Sequence, residues 1–206
     1  MRRWAFIVLV FIAFNMSVNA REGGDPDFPR MTFGLEWGYV ATLQSGYHYN
    51  FFAPEGYRVD DYGNAFKYHS NADAYVHFGY NLNHLWNISL YLGYAGVDDI
   101  HKVMPVSLRT TRFFGDDHMK DRWFGFVDLG SGICIKKPVQ EIMAGKIGGG
   151  YRLSLSRDTK LDFVLAVRMT YTHPQIIYDK APIPIEMTNR NNAYVGAVSL
   201  GLALTF

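Results

Sequence analysis

The chain has 206 residues, with 20 Lys and Arg against 19 Asp and Glu and a formal net charge of +1 at pH 7. That balance excludes a nucleic-acid binder held by a basic face. A single cysteine, Cys134, excludes an intrachain disulfide, and 16% aromatic residues with 20 glycines suit closely packed strands better than a helical bundle.

Arg2 and Arg3 precede an apolar run from Trp4 to Phe14, and a polar stretch then ends in Val18, Asn19 and Ala20. This order predicts a secretory signal peptide over residues 1–20, cleaved after Ala20, because the run is shorter than the roughly 20 residues of a spanning helix. Cleavage removes two arginines and no acids, which turns the formal charge from +1 to −1. Residues 21–30, REGGDPDFPR, read as a periplasmic lead-in, and the domain proper is assigned to residues 31–206.

From Met31 the sequence runs with period two, the signature of strands. The first strand sets Phe33, Leu35, Trp37, Tyr39, Ala41 and Leu43 on one face against Thr32, Gly34, Glu36, Gly38, Val40 and Thr42. A second strand opposes Val76, Phe78 and Tyr80 to Tyr75, His77 and Gly79, and a third opposes Trp86, Ile88, Leu90, Leu92 and Tyr94 to Asn87, Ser89, Tyr91 and Gly93. In the fourth and fifth the large faces are Met104, Val106, Leu108 and Trp123, Val127, Leu129, Ile133, opposite Arg109 and Thr111 and opposite Phe126, Asp128, Gly130 and Gly132. The sixth sets Met143, Ile147 and Tyr151 against Lys146, Gly148, Gly150 and Arg152, and the seventh sets Leu161, Phe163, Leu165, Val167 and Met169 against Asp162, Val164, Ala166, Arg168 and Thr170. The eighth, running to the last residue, sets Val198, Leu200, Leu202, Leu204 and Phe206 against Ala197, Ser199, Gly201, Ala203 and Thr205.

Eight strands, each near the roughly 9 to 11 residues of a tilted membrane strand, predict an all-β, closed antiparallel transmembrane barrel. Residues 52–72 and 174–190 read as long outer loops, whereas residues 81–85 and 156–159 read as tight inner turns. Volume separates this from a soluble barrel with its large residues inside, since an eight-stranded interior has room only for modest side chains. The large face is therefore assigned to lipid. The other face carries Glu36, Arg109, Asp128, Lys146, Arg152, Asp162 and Arg168, a lumen charge network in which Arg109 is expected to meet Asp128 and Arg168 to meet Asp162. Aromatics gather toward the ends as two girdles, with Phe33, Trp86, Phe114, Trp123 and Phe206 at the inner rim and Tyr47, Tyr49, Tyr94, Tyr171 and Tyr194 at the outer.

The signal through Ala20, VMPVSLRTTRFF at 103–114, FGFVDLGSGI at 124–133, GGGYRLSLSRDTKLDFVLAV at 148–167 and the closing VSLGLALTF together resemble the small eight-stranded outer-membrane barrels of Gram-negative bacteria, especially the Bacteroidetes type. The resemblance implies a location in the cell outer membrane, contact with outer-membrane lipids, and recognition of Leu202, Leu204 and Phe206 by the barrel-assembly machinery. It implies no catalytic residue and no cofactor.

YHSNA at 68–72 is similar to the HYSNA element of outer-membrane lipid A deacylases, but His69 and Ser70 are adjacent and so alternate faces of a strand. GKIGGGYR at 145–152 lacks the glycine spacing and following helix of a phosphate loop. The seven histidines show no repeated ligand spacing, so no metal site is expected. The sequence therefore points to a barrel with a filled lumen and a structural or surface-interaction role through its outer loops, the alternatives being a lipid A-modifying enzyme and a small pore or ligand carrier.

Overall fold

The computed structural model describes residues 28–96, 102–115, 117–134, 142–179 and 181–206. The signal peptide assigned to residues 1–20, residues 21–27 of the lead-in and the side chain of Cys134 lie outside the described residues.

Eight strands alternate along the chain: β1 (Met31–Phe52), β2 (Arg58–Asn81), β3 (Trp86–Gly96), β4 (Lys102–Phe113), β5 (Arg122–Cys134), β6 (Ile142–Ser154), β7 (Lys160–Thr172) and, after a short hairpin of β8 (Ile177–Tyr178) and β9 (Ala181–Pro182) and a 3-10 turn (Ile185–Met187), β10 (Thr188–Thr205). They close in the order β1-β10-β7-β6-β5-β4-β3-β2, each antiparallel to its neighbours. Closure leaves no edge along the wall, which removes the unpaired N–H and C=O groups that hydrocarbon does not tolerate. The last residue takes part in the seam. Phe206 and Phe33 exchange backbone hydrogen bonds of 3.0 and 2.8 Å, and their rings stack at 5.3 Å.

The two faces of the wall follow the alternation in the sequence. Large apolar side chains from every barrel strand, among them Phe33, Leu90, Val106, Leu129, Ile147, Leu165 and Leu200, stand exposed on the outside, while Glu36, Ser89, Arg109, Asp128, Lys146, Asp162 and Ser199 are buried in the lumen. At one end the connections are tight. Asn83 Oδ1 accepts from the amides of Leu85 and Trp86 in the β2–β3 turn, and Ser156 and Thr159 bond each other across the β6–β7 turn. The lead-in is tied to this end, since Asn81 donates to the carbonyls of Pro29 and Arg30 at 2.7 and 2.8 Å.

The opposite end departs from the sequence reading. Residues 58–72 are strand and not loop: β2 pairs with β1 from Arg58 to Tyr80, and the first connection is only residues 53–57. Asp60, Asp61, Gly63, Asn64 and Asn71 have turn-type propensity, but pairing with β1 on both sides of a single irregularity overrides it. The other outer loop, 174–190, likewise contains β8, β9, the 3-10 turn and the start of β10.

A register shift between Thr42 and Gln44 inverts the alternation of β1, for Thr42 stands opposite Ala197 while Gln44 stands opposite Gly196, its neighbour on β10. Tyr47 and Tyr49 consequently leave the lipid-facing girdle. Tyr49 packs instead with Phe51, Val59, Ile176, Tyr178 and Ile183 on the side continuous with the lumen.

Candidate functional site

The lumen is where charged side chains converge. At its centre Arg109, from β4, is 3% exposed, and Glu36 from β1 and Asp128 from β5 are 5% and 3% exposed. The guanidinium uses all five of its N–H groups: Nε donates to Asp128 at 3.2 Å, Nη1 to Glu36 at 2.5 Å and to the Tyr91 hydroxyl at 3.0 Å, and Nη2 to Glu36 and Asp128, both at 3.1 Å. Its flat faces are covered too, by the rings of Tyr91 at 3.8 Å and Phe126 at 4.2 Å. The register explains the geometry, because Arg109 is directly opposite Asp128 on the neighbouring strand, while Glu36 reaches it across the lumen.

Lys146 extends the cluster. Its ammonium lies 3.3 Å from Asp73, 3.9 Å from Glu36 and 4.3 Å from the centre of the Tyr75 ring. Nearer the short-turn end, Arg152 and Asp162 face each other on β6 and β7 and form a two-pronged pair with both contacts at 2.6 Å. Arg168 does not meet Asp162, contrary to the sequence expectation. Its Nε donates to Thr170 at 3.2 Å, and its Nη1 is buried with no partner among the described residues. Six residues along one strand are about 20 Å apart, so the directly opposed Arg152 takes the carboxylate.

Several participants escaped the sequence reading. Asp73 lies between the outer loop read at 52–72 and the first assigned residue of the second strand, and it shares the parity of Tyr75 and His77. Tyr91 and Phe126 stand on the small face of their strands, and Phe113 and Phe124 join Phe126, Val164 and Ala166 in an apolar layer on which Arg122 and Arg152 stack, 4.0 and 4.4 Å from the centre of the Phe113 ring. Arg122, directly opposite Arg152, and Lys160 are also buried in the lumen.

Small spaces remain within this filling among the described residues. One of about 30 Å³ lies among Glu36, His77, Tyr91, Arg152 and Asp162, and one of about 20 Å³ among Tyr75, Asp128, Lys146 and Arg168. Either is far below the roughly 300 Å³ or more of a small-molecule site. Among the described residues no group of three or more His, Cys, Asp or Glu is placed to hold a metal. The deacylase-like pair is also not assembled, since Ser70 is exposed on the outer face while His69, half-buried, has the lumen parity. Leu202 and Leu204 lie on the outer face of β10, opposite Trp37 and Leu35 of β1.

No protein-family profile matches the chain, and no curated protein matches it. Among solved structures it is similar in fold to the outer membrane protein OprG of Pseudomonas aeruginosa, with a TM-score of 0.53, 12% identity, and coverage of 88% of this chain and 99% of that one. The outer membrane protein AlkL matches with a TM-score of 0.49, 10% identity and coverage of 90% and 93%, and Neisserial surface protein A with 0.42, 13%, and 82% and 97%. The fold is thus the closed eight-stranded antiparallel barrel of small outer-membrane proteins.

Proposed function

We propose that this chain is an exported outer-membrane barrel whose lumen is a structural plug and whose work is done at the surface, by the β1–β2 hairpin and the connection between β7 and β10. The observation that carries the reading is Arg109: a guanidinium with five satisfied donors and both faces stacked leaves nothing for a passing ion to bind or displace. The belt of exposed Phe, Leu, Val and Ile around the closed wall supports burial in lipid, where each charge moved outward would cost about 2 to 4 kcal/mol at mid-depth. An open apolar cleft of about 550 Å³ on that outer wall, among Trp37, Trp123, Tyr151, Phe163 and Leu200, is of the shape that acyl chains fill.

The export signal over residues 1–20, the Bacteroidetes-type kinship and reading of Leu202, Leu204 and Phe206 by the assembly machinery belong to the same proposal. Its test is reconstitution of residues 21–206 into planar bilayers, with heat-shifted gel mobility of the same sample as the control for folding. A compact folded band with no unitary current is the expected result. A folded band with a stable open current would overturn the plug in favour of a pore.

A further inference from the structure

We propose that residues 58–72 of β2 are a strand-addition site for an extended segment of another polypeptide; the inference rests on the surface-interaction reading above and names the kind of partner. β2 is hydrogen-bonded to β1 from Arg58 to Tyr80, but to β3 only from Asp73 to Asn81. β3 ends at Gly96, which already pairs with Lys102 of β4. Among the described residues no strand other than β1 pairs with 58–72, a stretch of roughly 50 Å.

A strand presents its N–H and C=O groups alternately to its two sides, so about seven residues of this segment direct their backbone groups toward the open edge. Proteins that avoid such pairing keep the edge short or blunt it with proline, charges or a bulge; here the charges are Arg58, Asp60, Asp61 and Lys67, the irregularity falls between Phe66 and His69, and 62–66 is free of both. No proline lies between Arg58 and Ala72. What this edge accepts is fixed by its chemistry: main-chain donors and acceptors at a strand's spacing, which is an extended polypeptide.

The flanking side chains define the partner further. Tyr62, Phe66 and Tyr68 stand on the outer face, 77%, 79% and 62% exposed, and favour aromatic or β-branched residues at alternate positions of the added strand. On the other face the Tyr47 ring covers Gly63, Ala65 is small and exposed, and the exposed Asp61 favours a Lys or Arg. A second copy of this chain in the same membrane fits poorly. Both barrels would insert with one polarity, their β2 strands would run in the same sense, and the tilt of barrel strands would cross them instead of aligning them.

The test uses the folded mature chain in detergent micelles, with per-residue amide exchange followed by NMR. The probe is a synthetic peptide of about ten residues that alternates Thr with Val and Tyr and carries one Lys, and its control is the same peptide N-methylated at every second residue. In the free protein every second amide of 58–72 is expected to exchange at least about tenfold faster than its neighbours, and the probe to slow that set by about tenfold while the control does not. Uniform protection of 58–72 in the free protein would overturn the proposal, as would a probe that slows none of these amides or a control that works equally well. Conductance of the same preparation reports separately on the plug, so loss of either reading is visible without the other.

Discussion

Replacing Arg109 by Met tests the plug at its centre. The methionine keeps most of the aliphatic stem between Tyr91 and Phe126, so little volume is lost, but Glu36 and Asp128 remain as buried carboxylates without a counter-ion between them. Lys146, at 3.9 Å from Glu36 and already at 3.3 Å from Asp73, gives only partial compensation. Breaking one side of a buried ion pair costs about 3 to 5 kcal/mol, chiefly the desolvation of the orphaned charge. The triple change Arg109→Met, Glu36→Gln, Asp128→Asn removes those charges together, and is expected to recover more than half of the loss. Denaturant unfolding of the refolded barrel, followed by fluorescence of Trp37, Trp86 and Trp123 and by gel mobility, measures both. A loss below about 1 kcal/mol for Arg109→Met, or a triple variant less stable than the single one, would refute the reasoning.

At the seam, a Cβ on Gly34 would lie 2.1 Å from the Leu204 carbonyl oxygen, whereas one on Gly125 meets nothing nearer than 3.8 Å. Gly34→Ala is therefore expected to cost about 1 to 3 kcal/mol in the same unfolding assay and Gly125→Ala under about 0.5; equal effects would contradict the close approach. On the projecting hairpin, hydrogen bonds from His48 and Asn50 hold the Asp60 carboxyl below its ordinary value of 3.8. A depressed carboxylate stabilises above its unfolded value and stops doing so as pH falls through the lowered one, so the protection of amides in 44–52 and 58–66, relative to an unstructured peptide at the same pH, should fall below about pH 4. Asp60→Asn should abolish that step, and a step that survives in the variant would assign it elsewhere. Phe206→Ala is expected to refold in detergent with near-normal yield but to accumulate poorly in the outer membrane of cells, and equal cellular yield would sink its role as an assembly address. Phe51→Ala, which opens the cluster with Ile176 and Ile183, should speed exchange in 44–66 and leave residues 86–94 unchanged.

The wall was legible because its two environments differ in kind. In β7, Leu161, Phe163 and Leu165 alternate with Asp162, Val164 and Ala166, and lipid on one side and a crowded lumen on the other accept those sets and no others. Partners within the lumen were less legible, because a single strand does not disclose its register. Arg109 with Asp128 could be proposed from position, but Asp162 went to Arg152, and Glu36 reached Arg109 across the interior. The long hairpin was hidden for another reason. Asp60, Asp61, Gly63 and Asn64 carry turn signals, and the feature that turns them into strand is β1, an equally long partner whose own alternation inverts at Thr42 to Gln44.

That inversion also explains how the hairpin can project without collapsing. Two strands alone are marginal in water. Here β10 adds a third, pairing with β1 up to Thr188 opposite Phe51, and the shift in β1 turns Tyr49 and Phe51 toward the connection between β7 and β10. Ile176 and Ile183 close over them, Ile183 donating its amide to the Ile176 carbonyl at 2.9 Å, while the hydroxyls of Tyr57 and Tyr178 meet across the two segments. The cover lies on one face of the three-stranded sheet and not along the edge of β2. The sheet is thus held rigid from within while, among the described residues, no third strand pairs along 58–72, and an edge ordered before it meets a partner loses little further conformational entropy on binding.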